Sequence, residues 1–265
     1  MFEAVKAHWS NWRSNPRRAH ADYIVSRLWW YLNVKVQALV WTARPHRRLR
    51  PRIETKYVNL LHEPAFESSV AQVKKLTCLD EARLANVWNT VKLAGDGIFI
   101  EVGTYRGGTA LHICNAIDDS KHAGAKFYCF DPFEQGGFES LLPTETMIKV
   151  DDFTNTSYQA VVKLLAEKPN AKVVQGFFPQ AAAPFDLHGI AFCHLDVDLY
   201  EPTLKILNYL APRLAPRGVI LVDDLGHIAT PGVPDAVNHF LTEDPSFLLI
   251  ELFPHQGILL PRHLW

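Results

Sequence analysis

From about residue 80 onward, short and almost continuous apolar runs alternate with longer stretches in which apolar residues recur every three or four positions. Solid apolar runs are typical of buried parallel strands, and the longer stretches are typical of amphipathic helices. The alternation predicts parallel strands joined by crossover helices, in a doubly wound α/β sheet with helices on both faces. The predicted strands are Gly97–Val102, Lys126–Phe130, Ala171–Gln175, Ile190–Leu195, Val219–Val222 and Phe247–Leu252, and the predicted helices are Leu79–Leu93, Gly108–Asp118, Ser157–Glu167, Thr203–Leu214 and Pro234–Leu241.

The first 56 residues differ in composition from the rest of the chain. They hold 12 Lys/Arg against 3 Asp/Glu and five of the seven tryptophans, whereas the remainder holds 15 against 25. We predict a basic, Trp-rich helical extension over residues 1–56 and one catalytic domain over 57–265. Packing on its own or a neighbouring subunit is the favoured role of the extension and predicts a homo-oligomer; peripheral membrane contact is the alternative, and nucleic acid is disfavoured.

Targeting and redox features are sparse. The first 20 residues carry Lys6 and three arginines without an apolar run, so no secretory signal is expected and the predicted location is cytoplasmic, with the membrane periphery as the alternative. The most apolar early segment, Leu28–Ala43, is interrupted by polar residues and falls short of the roughly 20 residues that a membrane span needs. The four cysteines lack metal-ligand spacing and are expected to be reduced and structural.

The first predicted strand leads into the glycine-rich segment EVGTYRGGT at 101–109. In open α/β sheets this position binds nucleotide-like ligands, since glycines allow close backbone approach and the next helix offers free N–H groups. The spacing is neither G-x-G-x-x-G nor a phosphate-binding loop, so a nucleoside without phosphates fits better. A tight turn with no ligand is the alternative.

The second predicted strand ends next to Asp131, 28 residues after Gly103. The second strand of such a unit commonly presents an acid to the hydroxyls of a ribose at about this distance. We therefore predict that Asp131 binds a ribose, with a helix or turn cap as the alternative.

Two acidic pairs follow two later strands. Asp196 and Asp198 lie in HLDVDLY, and Asp223 and Asp224 lie in VDDLG. Four carboxylates at one edge of the sheet would repel one another unless a cation neutralised them. Oxygen ligands alone suit a hard ion such as Mg²⁺, so a divalent site is predicted, with simple helix capping as the alternative.

These motifs carry a resemblance to a known family. Over residues 97–241 the chain resembles the macrocin O-methyltransferase family, metal-dependent bacterial enzymes that methylate sugar hydroxyls of macrolides and related natural products. The resemblance is carried by EVGTYRGGTA at 101–110, FDPFEQGG at 130–137, VVQGFFPQ at 173–180, HLDVDLYEPT at 194–203 and APRGVILVDDLG at 215–226. It implies a Rossmann-like class I methyltransferase fold and methyl transfer from S-adenosylmethionine to a hydroxyl of a sugar or glycosylated natural product.

The resemblance also implies roles for particular residues. Asp196, Asp223 and Asp224 would hold Mg²⁺, and Asp198 would be the general base, although Asp196 is not excluded as the base. The expected cofactor-binding residues are Glu101, Gly103, Thr104, Tyr105, Gly107, Gly108, Thr109, Asp131, Pro132, Phe133, Gly176 and Phe177.

The sequence departs from the family pattern at two places near the expected binding site of the methyl acceptor. Leu225 stands where the family usually has a tyrosine, and the segment His227–Pro231 is longer than expected. Two other functions therefore stay open: methylation of a catechol-like aromatic diol, and a non-catalytic nucleoside-binding module. The second would predict decay of the acidic pairs, and both pairs are intact.

Overall fold

A computed structural model describes residues 63–136, 141–145, 147–149 and 152–264. The predicted extension 1–56 lies outside these residues, so its helical character and its contacts stay predictions. None of the helices in the described part of the chain is both long enough and apolar enough to cross a bilayer.

In the described part of the chain, seven strands form one sheet, and six helices of seven residues or more pack around it. The helices are α1 (Pro64–Val73), α2 (Glu81–Leu93), α3 (Gly108–Asp118), α4 (Tyr158–Leu164), α5 (Tyr200–Leu210) and α6 (Gly232–Glu243). The strands are β1 (Ile98–Val102), β2 (Phe127–Asp131), β3 (Ala171–Gln175), β4 (Ile190–Leu195), β5 (Leu214–Val222), β6 (Phe247–Leu252) and β7 (Gln256–Pro261).

The sheet has the strand order β3-β2-β1-β4-β5-β7-β6. The first five strands of this order are parallel, and β7 pairs antiparallel with both β5 and β6. The order reverses between β1 and β4, and the crevice beyond the carboxyl ends of the strands at such a point is where open α/β sheets bind ligands. The fold is the expected Rossmann-like class I methyltransferase fold.

Buried side chains alternate between the two faces of the sheet, because successive residues of a strand point in opposite directions. On β1, Phe99 joins the core beneath α1–α3, whereas Ile100 joins the core beneath α5 and α6. Both side chains have no exposed surface. This two-sided burial explains why the central strands β1 and β4 are nearly continuous in apolar residues.

All six predicted strands are present, but the predicted strict alternation of helix and strand is wrong at the carboxyl end. The strand β7 was not predicted; it follows β6 directly in a hairpin and lies between β5 and β6. The helix α1 was not predicted either. Two helices begin earlier than predicted and include a proline in their first turn: α5 begins at Tyr200 instead of Thr203, and α6 begins at Gly232 instead of Pro234. The first turn of a helix tolerates proline because its N–H groups have no intrahelical partner.

Candidate active site

A cavity of about 470 Å³ opens at the carboxyl ends of the parallel strands. The turns that follow all five parallel strands, β1 to β5, contribute to its wall. It therefore brings together most of the residues that the sequence singled out, although they come from five separate segments. The predicted site residues that line it are Gly103, Thr104, Tyr105, Thr109, Asp131, Pro132, Gly176, Phe177, Asp196, Asp198 and Asp224.

The turn after β1 passes very close to the end of β4. Gly103 has a φ of +94°, and a Cβ atom built on it would lie 1.6 Å from the backbone oxygen of Asp196. No other residue type fits this contact without moving the backbone. The glycine thus lets the turn after β1 and the acidic turn after β4 share one wall of the cavity.

Asp131 braces the same turn. One of its carboxylate oxygens accepts hydrogen bonds from the backbone N–H groups of Thr104, at 2.9 Å, and Tyr105, at 2.8 Å, and the other accepts one from Phe133 at 2.6 Å. Burial raises the pKa of Asp131, while these three donors act to lower it. A carboxylate offers about four acceptor positions, so capacity for a ligand hydroxyl remains beside this structural role.

Five predicted residues do not line the cavity. Glu101 and Phe133 have fully buried side chains, and Gly107 precedes the first residue of α3. Gly108 is needed for packing, because a Cβ atom there would lie 2.5 Å from the carbonyl carbon of Leu76. Asp223, the fifth, lies beneath the cavity wall with 1% of its surface exposed.

The acidic side chains do converge. Carboxylate oxygens of Asp196, Asp198 and Asp224 lie within 4.8 Å of one another. Burial raises the pKa of Asp196 well above its usual value, and repulsion by Asp223 and Asp224 adds to the effect. Burial followed by repulsion from Asp224 likewise raises the pKa of Asp198. We refer to Asp196, Asp198, Asp223 and Asp224 as the acid cluster.

Backbone strain marks the two turns of the acid cluster. Asp198 has a φ of +63° and Asp224 has a φ of +59°. Aspartate tolerates this left-handed region better than most residues, but the conformation still costs free energy. Strained non-glycine residues concentrate at functional sites, where the surrounding structure holds them in place.

His194 and Glu101 form a buried polar layer below the acid cluster. The Nδ1 atom of His194 lies 3.5 Å from Oε1 of Glu101, and its Nε2 atom lies 3.9 Å from Oδ2 of Asp223. Both side chains are wholly buried, and neither has a hydrogen-bond partner of good geometry within the described residues. Burial raises the pKa of Glu101, and the neighbouring imidazole acts to lower it. His194, Asp196 and Asp223 form a second group of possible metal ligands, whose ligand atoms lie within 4.8 Å of one another.

Sequence reasoning missed Arg83. This residue lies in the first turn of α2, and its Nη1 atom donates to both carboxylate oxygens of Asp223 and to Oδ1 of Asp224. The attraction of these acids raises the pKa of Arg83 against the effect of burial. No local motif marks the residue, since its partners lie far along the chain.

Smaller contacts position other residues that line or border the cavity. The hydroxyl of Thr109 hydrogen-bonds that of Thr77 at 2.8 Å, which ties the start of α3 to the segment before α2. The hydroxyl of Tyr200 bonds Nδ1 of His239 at 2.6 Å. His227 lines the cavity beyond the second acidic pair.

Oxygen donors from several aspartates suit a divalent cation such as Mg²⁺. The three carboxylates of Asp196, Asp198 and Asp224 meet this requirement, because one oxygen of each lies within 4.8 Å of the others. The acid cluster therefore has a chemistry and a spacing that fit a cation.

Known proteins share this architecture. Residues 100–225 match the family described as a methyltransferase domain. The O-methyltransferase NovP superposes with a TM-score of 0.60 at 20% identity, covering 70% of this chain and 81% of NovP. The calicheamicin methyltransferase CalS11 gives a TM-score of 0.56 at 17% identity, covering 77% of this chain and 96% of CalS11. The SAH-bound methyltransferase PaMTH1 of Podospora anserina gives 0.52 at 14% identity, covering 75% of this chain and 88% of PaMTH1. No protein of curated function matches the sequence significantly.

The domain match, the fold and the cavity at the switch point together define the class of protein. The chain is an enzyme, an S-adenosylmethionine-dependent methyltransferase, and its methyltransferase domain includes residues 100–225. The similarity to these solved structures establishes the fold. Their sequence identity is too low to identify the acceptor of the methyl group.

Proposed function

We propose that this enzyme transfers a methyl group from S-adenosylmethionine to a hydroxyl of a sugar or glycosylated natural product, with a divalent cation, Mg²⁺, at the acid cluster. The observation that carries the proposal is that the turn braced by Asp131 and three members of the acid cluster, Asp196, Asp198 and Asp224, line one cavity. A wall that binds a nucleoside and an acidic wall that faces it suit metal-assisted methyl transfer to an oxygen.

Residues of the cofactor side have distinct proposed roles. Asp131 accepts hydrogen bonds from the ribose hydroxyls with the acceptor capacity that the backbone leaves free. Gly103 and Thr104 approach the amino-acid portion, and Gly176 and Phe177 border the adenine. When bound, S-adenosylmethionine supplies the electrophilic methyl group, and the cation supplies a Lewis acid next to the acceptor hydroxyl.

On the acidic side, Asp198 is the proposed general base. It accepts the proton of the acceptor hydroxyl as the oxygen–carbon bond forms and the sulfur–carbon bond breaks. Asp196, Asp223 and Asp224 are the proposed cation ligands: Asp196 has a carboxylate oxygen within 4.8 Å of one from Asp224, in the group that also contains Asp198, and one within 4.8 Å of an oxygen of the buried Asp223. The strained backbone at Asp198 and Asp224 is consistent with positions held for chemistry rather than for stability.

The residues that line the cavity near the acid cluster favour a sugar as the methyl acceptor. Polar residues follow both acidic turns: Glu201 and Lys205 on α5, and His227 and Thr230 after Asp224. Such a lining can hydrogen-bond several hydroxyls. NovP is an O-methyltransferase, and CalS11 is described as a TDP-rhamnose 3′-O-methyltransferase of calicheamicin biosynthesis. A catechol-like diol is the competing acceptor, and an acceptor panel separates the two.

Calorimetric titration of S-adenosylmethionine and its demethylated product, with and without Mg²⁺, tests the proposal. We expect micromolar binding that Asp131→Asn weakens by roughly tenfold or more, since hydrogen bonds to charged groups contribute about 1.5–3 kcal/mol. Asp186→Asn is the matched control, because Asp186 is exposed and pairs with His188 away from the cavity. A folded protein that binds neither molecule would overturn the proposed function.

The role of residues 1–56 is a separate proposal, motivated by composition alone. Packing between subunits predicts that deleting residues 1–50 lowers the oligomeric mass measured by light scattering. Membrane contact instead predicts sedimentation with anionic vesicles that the same deletion abolishes.

A further inference from the structure

The acid cluster already contains a cation of the protein itself. Nη1 of Arg83 lies 3.2 Å from Oδ2 and 3.3 Å from Oδ1 of Asp223, and 3.4 Å from Oδ1 of Asp224. Among the residues that the structure describes, no other Lys or Arg comes within 4.0 Å of a carboxylate of the cluster. One guanidinium thus offsets part of the charge of four converging acids.

Arg83 is held in this position from several sides. Its Nη2 atom donates to the carbonyl oxygen of Cys78 at 2.8 Å, and its backbone N–H donates to Oδ1 of Asp80, the residue that caps α2, at 2.9 Å. The side chain is 15% exposed. An arginine anchored at both its backbone and its far end is a built part of the site rather than a surface side chain that happens to reach it.

Two of the three proposed cation ligands, Asp223 and Asp224, are the partners of Arg83. A guanidinium and a divalent ion both bind carboxylate oxygens, and they repel each other at close range. The ion therefore meets ligands whose charge is already partly neutralised and whose oxygens already accept hydrogen bonds.

We propose that Arg83 is a positioning residue that acts as the resident counter-cation of the acid cluster: it stabilises the cluster without a divalent ion and weakens the binding of that ion by sharing Asp223 and Asp224. The inference rests on the proposed function, since it concerns the cation of the same site. It assigns a role to a residue of α2 that the acidic motifs themselves do not contain.

The test compares cation affinity in the full-length wild type and in variants of Arg83. Mg²⁺ binding is measured by calorimetry, and Mn²⁺ binding by the loss of the free-ion electron paramagnetic resonance signal. Arg83→Met keeps the length of the stem and removes the charge, and Arg83→Lys keeps the charge. Arg213→Met is the matched control: Arg213 lies just before β5, at the end of that strand opposite Asp223, and bonds the carbonyl oxygen of Tyr209.

We expect Arg83→Met to bind both ions at least roughly tenfold more tightly, since a neighbouring positive charge has been removed. Arg83→Lys and Arg213→Met should stay within about threefold of the wild type, because neither removes a positive charge from the cluster. In EDTA, Arg83→Met should melt at a lower temperature than the wild type, and excess Mg²⁺ should raise its melting temperature more than that of the wild type. If Arg83→Met is unfolded in EDTA, refolding on addition of Mg²⁺ supports the inference and failure to refold overturns it.

The outcomes separate this inference from the proposed function. Unchanged or weaker ion binding by folded Arg83→Met, with measurable binding by the wild type, overturns the role of Arg83 alone. If neither protein binds Mg²⁺ or Mn²⁺, with S-adenosylmethionine present or absent, the cation of the proposed function fails and the role of Arg83 fails with it.

Discussion

Nη1 of Arg83 lies 3.2 Å from Oδ2 of Asp223, although 140 residues separate the two in the chain. The contact joins the first turn of α2 to the turn that follows β5. It connects the helix that precedes β1 to the acidic edge of the sheet. A contact between elements of the fold therefore also belongs to the candidate site.

We expect Asp198→Asn to lower kcat by 10²–10⁴-fold, the usual contribution of a general base. Asparagine also tolerates the left-handed backbone at this position, so the fold should be kept. Formation of the demethylated cofactor is measured with acceptors from a panel of sugar diols and catechols, with Asp186→Asn as control. Retained Mg²⁺ affinity in the variant supports a base, whereas loss of that affinity would make Asp198 a ligand instead.

Gly103→Ala should destabilise the protein by about 2–4 kcal/mol, because it combines a positive φ with a clash against the backbone of Asp196. Gly189→Ala is the matched control: Gly189 has a φ of +75°, and nothing lies within 4 Å of its added Cβ atom. That variant should lose only about 1–2 kcal/mol. Urea unfolding measures both, and equal losses would show that the contact between the two turns has no energetic weight.

Without divalent cations, the contribution of Asp196 and Asp198 to stability should fall as pH rises above the ordinary aspartate value of 3.8. Burial and mutual repulsion raise the folded-state pKa of Asp196 and Asp198, so the folded state favours their protonated forms. Their contribution is complete below pH 3.8 and is lost as pH rises through the raised values.

Mg²⁺ binds the deprotonated carboxylates, so the rise in melting temperature that it causes should grow with pH. Calorimetric melting with EDTA or with Mg²⁺ checks this from pH 5 to pH 8. Asp196→Asn should flatten the dependence, and a Mg²⁺ effect independent of pH would contradict the prediction.

His112 predicts a pH dependence of the opposite sign. Burial lowers its pKa to about 4 from 6.5, between Ser69 and the carbonyl oxygen of Leu84. As pH falls from 6.5 toward 4, the unfolded chain takes up a proton that the folded chain does not, so stability is lost. The loss should be on the order of 2–3 kcal/mol.

Urea unfolding between pH 4 and pH 7 measures the His112 effect. His112→Gln should reduce the slope, whereas His188→Gln, at an exposed histidine, should leave it unchanged. Parallel pH profiles for the wild type and His112→Gln would refute the assignment.

Sequence reasoning predicted the centre of the parallel sheet most directly, because β1 and β4 are buried on both faces. Runs such as Ile190–Leu195, all of whose residues are buried, are recognisable without any partner. The same reasoning missed β7, whose short run follows β6 within a hairpin, and whose insertion between β5 and β6 depends on pairing between distant segments.

The candidate site was predictable where its residues lie next to a strand end. The glycine turn, Asp131 and the two acidic pairs each follow an apolar run, and parallel strands bring their carboxyl ends to one edge. Predicted contacts of Glu101 and Phe133 with the cofactor remain predictions, although the structure buries both side chains away from the cavity. Residue type and spacing predict where a residue lies along a strand. Whether its side chain points into the cavity depends on the elements that pack against the strand.

The sequence by itself determined the periodicity of the strands and helices, the turns, and the chemical types of the candidate site residues. These features depend on residues that are close together in the chain. Only the tertiary structure decided that Arg83 enters the acid cluster, that Asp131 braces the turn at Thr104 and Tyr105, and that His194 lies buried between Glu101 and Asp223. Each of these contacts joins separate elements of the fold. Their free energy is set by distance, burial and charge after packing, and no local pattern of residues encodes those quantities.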